Sequence, residues 1–470
     1  MSKSDSNEMS RRTFLAAVSA AASVPVLAHA NPVLATAKSQ DLAVSGGTPV
    51  RSKALTTIYE GANFIGVEEK TEVDEAVATR SLFRFYGFTA PQKARTFEEE
   101  FQKFMGVKYA LGVTSGTSAL HVAINALGVG PGDEVILPAE TWHSDYNVII
   151  MTGALPVFCE INETFAMDPD DLKRKITPHT KVVIPSHLSG TVADIDKIMA
   201  IAREHNLKVL EDSAEAVGAS YKGRRTGSIG DIGIYSFQTH KMMTSGEGGC
   251  VITNDSALYE RAIRFHDLGG LRPTFQSVLG VSYPRSSGSG TQGDRGGETL
   301  VGLNYRMNEE TGAILCAQLR KLEPLLANHR RMHRYVAEKL QNLSGLKLRP
   351  SNDPEGDIGI SLDLLLPTRE LRDQFIKAMT AENVPMDVGI LGTRNLPTMG
   401  YIEDKEAPHP QWPSFNTPRG KAMKYGAECS PRSVDLKNRY ASLYIGPKWS
   451  NADLDDVVTA VKKVHSALLS

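Results

Sequence analysis

The sequence predicts an α/β protein with a mostly parallel central sheet, followed by a smaller α+β domain. Three observations predict this. Short apolar runs alternate with helical stretches from about residue 95 to 265, the pattern of a parallel sheet with crossover helices. A long helical pattern then runs from Glu309 to about Leu343, of the kind that bridges domains. Beyond Gly345 the chain returns to mixed α and β. The composition agrees with a large folded chain: 470 residues, 41% hydrophobic and 23% charged, which excludes wholesale disorder and a polytopic membrane protein. Lys and Arg number 52 against 54 Asp and Glu, so no basic field exists for bulk nucleic-acid binding. Cys159, Cys250, Cys316 and Cys429 are widely spaced and form no CxxC, so neither a disulfide framework nor a structural zinc site is expected.

The elements follow in order. Ser10-Arg11-Arg12-Thr13-Phe14-Leu15 is a twin-arginine pattern, an Ala-rich apolar stretch runs to about Leu27, and Ala28-His29-Ala30 supplies a cleavage site. Residues 1–30 therefore read as a twin-arginine signal peptide, too short for a stable membrane span, and the expected location is periplasmic or exported, with a cytoplasmic protein as the alternative. Residues 31–50 form an N-terminal arm, 51–344 the large domain with its bridging helix, and 345–470 the small domain. Thr96 to Met105 reads as a helix with Phe97, Phe101 and Phe104 on one stripe. Strands are expected at Tyr109–Thr114, Glu134–Pro138, Leu155–Ile161, Lys181–Pro185, Lys208–Asp212, Ile232–Ser236 and Gly249–Thr253, with helices at Ala119–Leu127 and Ile195–His205. Leu271 to Thr299, rich in Gly and Ser, reads as a long loop. Leu319, Leu322 and Leu326 of the long helix read as core, and Asp453–Leu469 as a terminal helix.

Three blocks carry chemistry. Ser115-Gly116-Thr117 stands at a strand-to-helix turn, where backbone N–H groups and two hydroxyls make a phosphate site; taken alone, such a turn is more often a simple N-cap. Asp212 ends an apolar strand, where ligands bind in open α/β sheets, and its carboxylate can hold a protonated ring nitrogen or merely cap the next turn. Lys241 lies between a strand end and the turn Gly246-Glu247-Gly248-Gly249, among small, apolar and hydroxylic neighbours that suit a Schiff-base lysine better than a solvated one. A phosphate turn, an acid for a pyridinium and a lysine for an aldehyde, in that order, specify pyridoxal 5'-phosphate.

Together with Gly130-Pro131-Gly132-Asp133, Glu211-Asp212-Ser213-Ala214-Glu215-Ala216, Gly230-Asp231-Ile232-Gly233 and Asn304-Tyr305-Arg306-Met307-Asn308, these blocks resemble the DegT/StrS family of sugar and cyclitol aminotransferases. The resemblance runs from about Gly46 to the C-terminus. It implies the three-layer, aspartate-aminotransferase-like fold of type I. It implies that Ser115, Gly116, Thr117 and Ser236 hold the cofactor phosphate, that Trp142 stacks on the ring and that Asp212 pairs with the ring nitrogen. Glu215 takes the place near the ring hydroxyl, where it is either protonated or turned to substrate. Lys241 forms the Schiff base, and Asn304 reaches the phosphate of a neighbouring subunit, which implies a homodimer with shared sites. His187 lies at a strand end in the same region; a satisfied structural histidine and a substrate contact both fit it.

Members of the family that act as dehydratases carry His in place of the lysine, so Lys241 implies transamination: glutamate or glutamine as amino donor, and a nucleotide-linked keto sugar or a keto cyclitol as acceptor. Gly46-Gly47-Thr48-Pro49-Val50-Arg51 and Leu82-Phe83-Arg84-Phe85-Tyr86-Gly87 resemble the cyclitol and aminobenzoate branch, whereas Glu215 resembles the perosamine branch. Arg51, Arg84 and the Gly/Ser-rich segment are the candidate acceptor contacts. The competing reading is a protein that binds the cofactor as a sensor or structural partner without transaminating. An export signal favours it, and the intact pair Asp212 and Lys241 opposes it.

Overall fold

The computed structural model describes residues 41–56, 64–85, 92–282, 300–390 and 393–469. The twin-arginine segment, the first part of the N-terminal arm, Tyr86-Gly87 and residues 283–299 of the Gly/Ser-rich segment lie outside them.

Seven strands form the central sheet: β1 (Tyr109–Val113), β2 (Glu134–Pro138), β3 (Leu155–Cys159), β4 (Thr180–Val183), β5 (Lys208–Asp212), β6 (Ile232–Ser236) and β7 (Gly249–Thr253). Their order is β1-β7-β6-β5-β4-β2-β3. β7 runs antiparallel to both neighbours, and every other pairing is parallel. The strands are apolar almost throughout because both faces are covered. Along β2, Ile136 enters one core while Val135 and Leu137 enter the other; along β5, Val209 and Leu210 divide the same way.

The helices complete the three layers. α1 (Val67–Ala78) and α2 (Lys93–Met105) both pack against the long helix Glu309–Lys339, and Phe97 and Phe101 of α2 enter the first core. α3 (Gly116–Ala126) and α4 (Ser144–Met151) pack on the second, through Leu120, Ala123, Ile149 and Ile150. The sequence pattern does not show α1, whose Val67 and Val77 stay exposed. It is docked by charge instead: Lys321 meets Glu69 at 2.9 Å, and Glu72 meets Lys93 and Arg320 at 2.5 Å each. The expected loop after Leu271 begins with a helix, α5 (Pro273–Leu279), which starts on Pro273 and buries Phe275.

α6 (Glu309–Lys339) bridges two cores. Its first half puts Leu315, Leu319, Leu322 and Leu326 under the central sheet, and its second half puts Met332 and Val336 into the small domain. Asn308 caps it, accepting a hydrogen bond from the Thr311 amide at 3.0 Å. The small domain has an antiparallel sheet of β8 (Lys347–Leu348), β9 (Ser361–Leu365), β10 (Asp387–Val388) and β11 (Tyr440–Tyr444), in the order β8-β9-β11-β10. α7 (Arg369–Ala381) and α8 (Asn451–Leu468) cover it.

The linear division at residues 50 and 344 is crossed twice. Leu42 and Leu55 pack into the small domain's core, where the Ala43 and Val50 amides donate to Glu382 at 2.9 Å. Leu396 and Ile402 return to the large domain's second core. Both crossings follow from apolar residues finding the nearest unfilled core, which chain order does not record.

Candidate active site

The C-terminal ends of the parallel strands converge on a cleft of about 560 Å³. This edge is where an open α/β sheet leaves room for a ligand. Ser115, Gly116, Thr117, Trp142, His187, Asp212, Glu215, Ser236 and Lys241 all line it.

The turn between β1 and α3 is built around missing side chains. Ser115 caps the helix, its hydroxyl accepting from the Ser118 amide at 3.0 Å. A Cβ on Gly116 would lie 2.6 Å from the Ser236 Cβ, and one on Gly249 would lie 2.2 Å from the Ser115 carbonyl oxygen. Only glycine at both positions lets the turn sit against the ends of β6 and β7. The first-turn amides of Gly116 and Thr117 have no carbonyl one turn back within the helix. The Thr117 hydroxyl, 2.8 Å from Ser144 Oγ, and the Ser236 hydroxyl stand beside them. Such a cradle suits a phosphate dianion.

Asp212 sits at the end of β5 with its Oδ1 accepting from the Ala214 amide at 2.9 Å. Burial pushes its carboxyl above the ordinary aspartate value, while the Ala214 amide and the Lys241 charge pull the other way. Lys241 Nζ lies 3.3 Å from Glu215 Oε1, and Glu215 Oε2 accepts from the Ser189 amide at 3.1 Å. Ser189 holds a left-handed backbone (φ 50°), so its amide is aimed by a strained turn. Trp142 is 40% exposed at the cleft wall, with His143 4.4 Å away ring to ring and the Arg394 guanidinium 5.6 Å from its ring. Burial and the Arg394 charge hold His143 below the ordinary histidine value, which keeps the ring neutral at pH 7.

Two expected substrate contacts, Arg84 and Arg51, point elsewhere, and the third, His187, is already engaged. Arg84 is buried and grips Glu98 with two bonds of 2.8 and 2.7 Å, because a guanidinium carried into the core must take its counter-ion with it. Arg51 pairs with Asp453 and Asp456 of α8, at 3.0 and 2.5 Å, beside a separate small hollow. His187 does line the cleft, but both ring nitrogens are occupied: Nδ1 accepts from the Ala193 amide at 3.1 Å, so Nε2 carries the proton and donates to Glu211 at 3.1 Å. Asn304 lies exposed and outside its own chain's cleft.

Of two residues missed in the sequence, one enters the cleft and the other lies beneath it. Arg394 arrives because Arg394–Asn395 pairs with Glu140–Thr141 in a two-residue ladder, a contact across some 250 positions with no local signal. Asp145 lies beneath the floor, held by the floor residues Thr141 and Ser186. Its proximity to Trp142 in the chain was the signal available.

The family model of the DegT/DnrJ/EryC1/StrS aminotransferases matches residues 68–413. The chain belongs to this family. Among DegT/DnrJ/EryC1/StrS relatives, GDP-perosamine synthase of Caulobacter vibrioides is 39% identical over 54% of this chain; the match spans 63% of that protein's length. A putative L-glutamine:3-amino-2,3-dideoxy-scyllo-inosose aminotransferase of Streptomyces kanamyceticus is 29% identical over 92% of this chain and 98% of its own. The crystal structure of 3-amino-5-hydroxybenzoic acid synthase superposes with a TM-score of 0.71 at 25% identity, covering 88% of this chain and 99% of that one. The protein is thus a pyridoxal-phosphate-dependent aminotransferase of type I fold, and its cleft fits that cofactor: a glycine-walled anion cradle, an aromatic wall, a buried carboxyl and an amine.

Proposed function

We propose that the protein moves an amino group from glutamate or glutamine to a nucleotide-linked keto sugar or a keto cyclitol. The observation that carries this reading is Lys241 standing in one cleft with Asp212 and the phosphate turn. The names of its relatives support both acceptor classes, and the full-length Streptomyces relative supports glutamine as donor.

When bound, pyridoxal phosphate supplies an aldehyde for primary amines and a ring that withdraws electrons from the attached carbon. Gly116, Thr117 and Ser236 would hold its phosphate, and Trp142 would cover the ring. Asp212 would hold a proton at the ring nitrogen. Lys241 Nζ would take the proton from the donor's α-carbon and later deliver one to the acceptor carbon, with Glu215 positioning it between the two tasks. Arg394, which lines the cleft beside Trp142 as Arg84 does not, would contact the acceptor.

Asn304 would complete the cleft of a second copy. Exposed Val301 and Leu303 beside it supply apolar surface for a homodimer contact. Residues 10–30 support export by a twin-arginine route, checked by cell fractionation of the intact chain and of an Arg11→Lys, Arg12→Lys variant. No helix among the described residues is long and apolar enough to cross a membrane.

The deciding experiment is the absorbance of the purified protein with bound cofactor, before and after adding glutamate or glutamine. Conversion to the pyridoxamine form supports the donor assignment, and panels of keto sugars and keto cyclitols then identify the acceptor by restoring the original spectrum. A spectrum that no amino donor changes would favour a cofactor-binding protein without transamination.

A further inference from the structure

Beneath the cleft lies a second carboxyl whose surroundings the cofactor roles above leave unexplained. Asp145, in the first turn of α4, is fully buried. Its Oδ2 accepts from Thr141 Oγ1 at 2.7 Å and from Ser186 Oγ at 3.1 Å. Its Oδ1 receives no N–H or O–H from the described residues. Ser186, which donates to Asp145, bridges in parallel to Asp212, and this brings the Asp212 carboxyl beside it. The backbone fixes this meeting. Ser186 and Asp212 bridge in parallel, the Asp212 amide donates to the Pro185 carbonyl at 2.9 Å, and the His187 amide donates to the Asp212 carbonyl at 2.9 Å.

Two buried carboxyls in contact cannot both stay ionised. Their surroundings divide the proton unequally. Asp212 has an amide donor and the Lys241 cation in its field, with Glu215 opposing. Among the described residues, the donors to Asp145 are the neutral hydroxyls of Thr141 and Ser186, and α4 is a short helix whose end adds little. Burial and the Asp212 charge both push the Asp145 carboxyl upward.

We infer that Asp145 is a protonated carboxylic acid that donates a hydrogen bond to Asp212 and thereby sets how firmly Asp212 holds the cofactor's ring nitrogen protonated. Asp145 is a positioning residue, touching Asp212 and not the ring. This inference rests on pyridoxal phosphate occupying the cleft, and not on the identity of donor or acceptor. An O–H given to Asp212 stabilises its anion, so the proton shared with the ring stays on nitrogen. Without that bond Asp212 is more basic, the ring withdraws fewer electrons, and the pH midpoint of the bound cofactor's visible band rises.

The test compares holoprotein of wild type, Asp145→Asn and Asp145→Ala by pH titration of that band and by infrared difference spectra at pH 7. We expect a protonated-carboxyl carbonyl band in wild type that Asp145→Asn removes. We expect Asp145→Asn, which still donates to Asp212, to leave the midpoint unmoved. Asp145→Ala should raise it by about one pH unit or more, the scale of a lost charge-assisted bond. A lowered midpoint in Asp145→Asn would show that Asp145 is an anion and overturn the inference. An unmoved midpoint in Asp145→Ala, or no band lost in Asp145→Asn, would overturn it too. Should Asp145→Ala not fold, the infrared difference decides alone. None of these readouts needs turnover, so a holoprotein silent to every amino donor would sink the transaminase reading and leave Asp145 in place; failure to take up pyridoxal phosphate would overturn both.

Discussion

Lys241 is held without being buried: its side chain is 18% exposed and its amine is 3.3 Å from Glu215. An amine placed this way can leave its carboxylate for a bound aldehyde and return. Lys241→Ala should therefore lose turnover by at least about 10³-fold, and borohydride should no longer fix the cofactor to the protein. A fixed adduct in that variant would move the role to another lysine. A second expectation concerns Glu140, buried with Lys437 Nζ 3.2 Å away and pushed by burial up to about 7 from 4.5. An acid with a raised folded pKa binds its proton more tightly when folded, so stability present at low pH is lost as pH rises from 4.5 to about 7. The loss is at most about 3 kcal/mol. Glu140→Gln stays neutral, so denaturant titrations should show the wild type losing ground to it across that window and no further above it. A difference that does not change with pH would remove Glu140 as the cause. That Lys241 and Asp212 stand in one cleft was legible in the sequence, because each lies beside a strand end marked by its immediate neighbours in the chain. Arg84 was misread because a solvent-facing arginine and a core arginine look alike until Glu98 is seen beside it.

The strand-to-helix turn at Ser115–Thr117 forms the proposed phosphate cradle, so cofactor affinity is the property that tests it. Gly116 meets Ser236 closely, so Gly116→Ala must push α3 and β6 apart. Overpacking of this kind costs about 1–3 kcal/mol, and if the strain falls on the phosphate cradle the cofactor Kd rises by about tenfold or more. Equilibrium dialysis with pyridoxal phosphate measures this, with circular dichroism to show that the fold persists. An unchanged Kd would detach the turn from the phosphate. Most strands were legible as elements, since a buried parallel strand is a short apolar run bounded by turns. α1 was not, because ion pairs hold it and leave no apolar stripe. α5 was not, because Gly and Ser nearby outweighed the cue of Pro273.

For the whole molecule, the placement of Asn304 makes the dimer a testable claim. Lys241→Ala subunits keep Asn304, and Asn304→Ala subunits keep Lys241. Heterodimers purified with two different tags should therefore carry one intact cleft and show about half the wild-type turnover. Two inactive parents that give an inactive heterodimer would argue that each cleft is built from one chain.

Fold class, family and the order of the glycine turn, the acid and the lysine were all readable from the chain alone. These are properties of short windows: an apolar run with its turn, or a carboxylate at the end of a strand. Which residues meet was set by how the chain packs. Packing buried Arg84 against Glu98, brought Arg394 to Trp142 through a two-residue ladder, and set Asp145 against Asp212. Contacts between distant positions arise when apolar faces close on one another, and the polar groups carried inward must pair with whatever the packing has placed beside them.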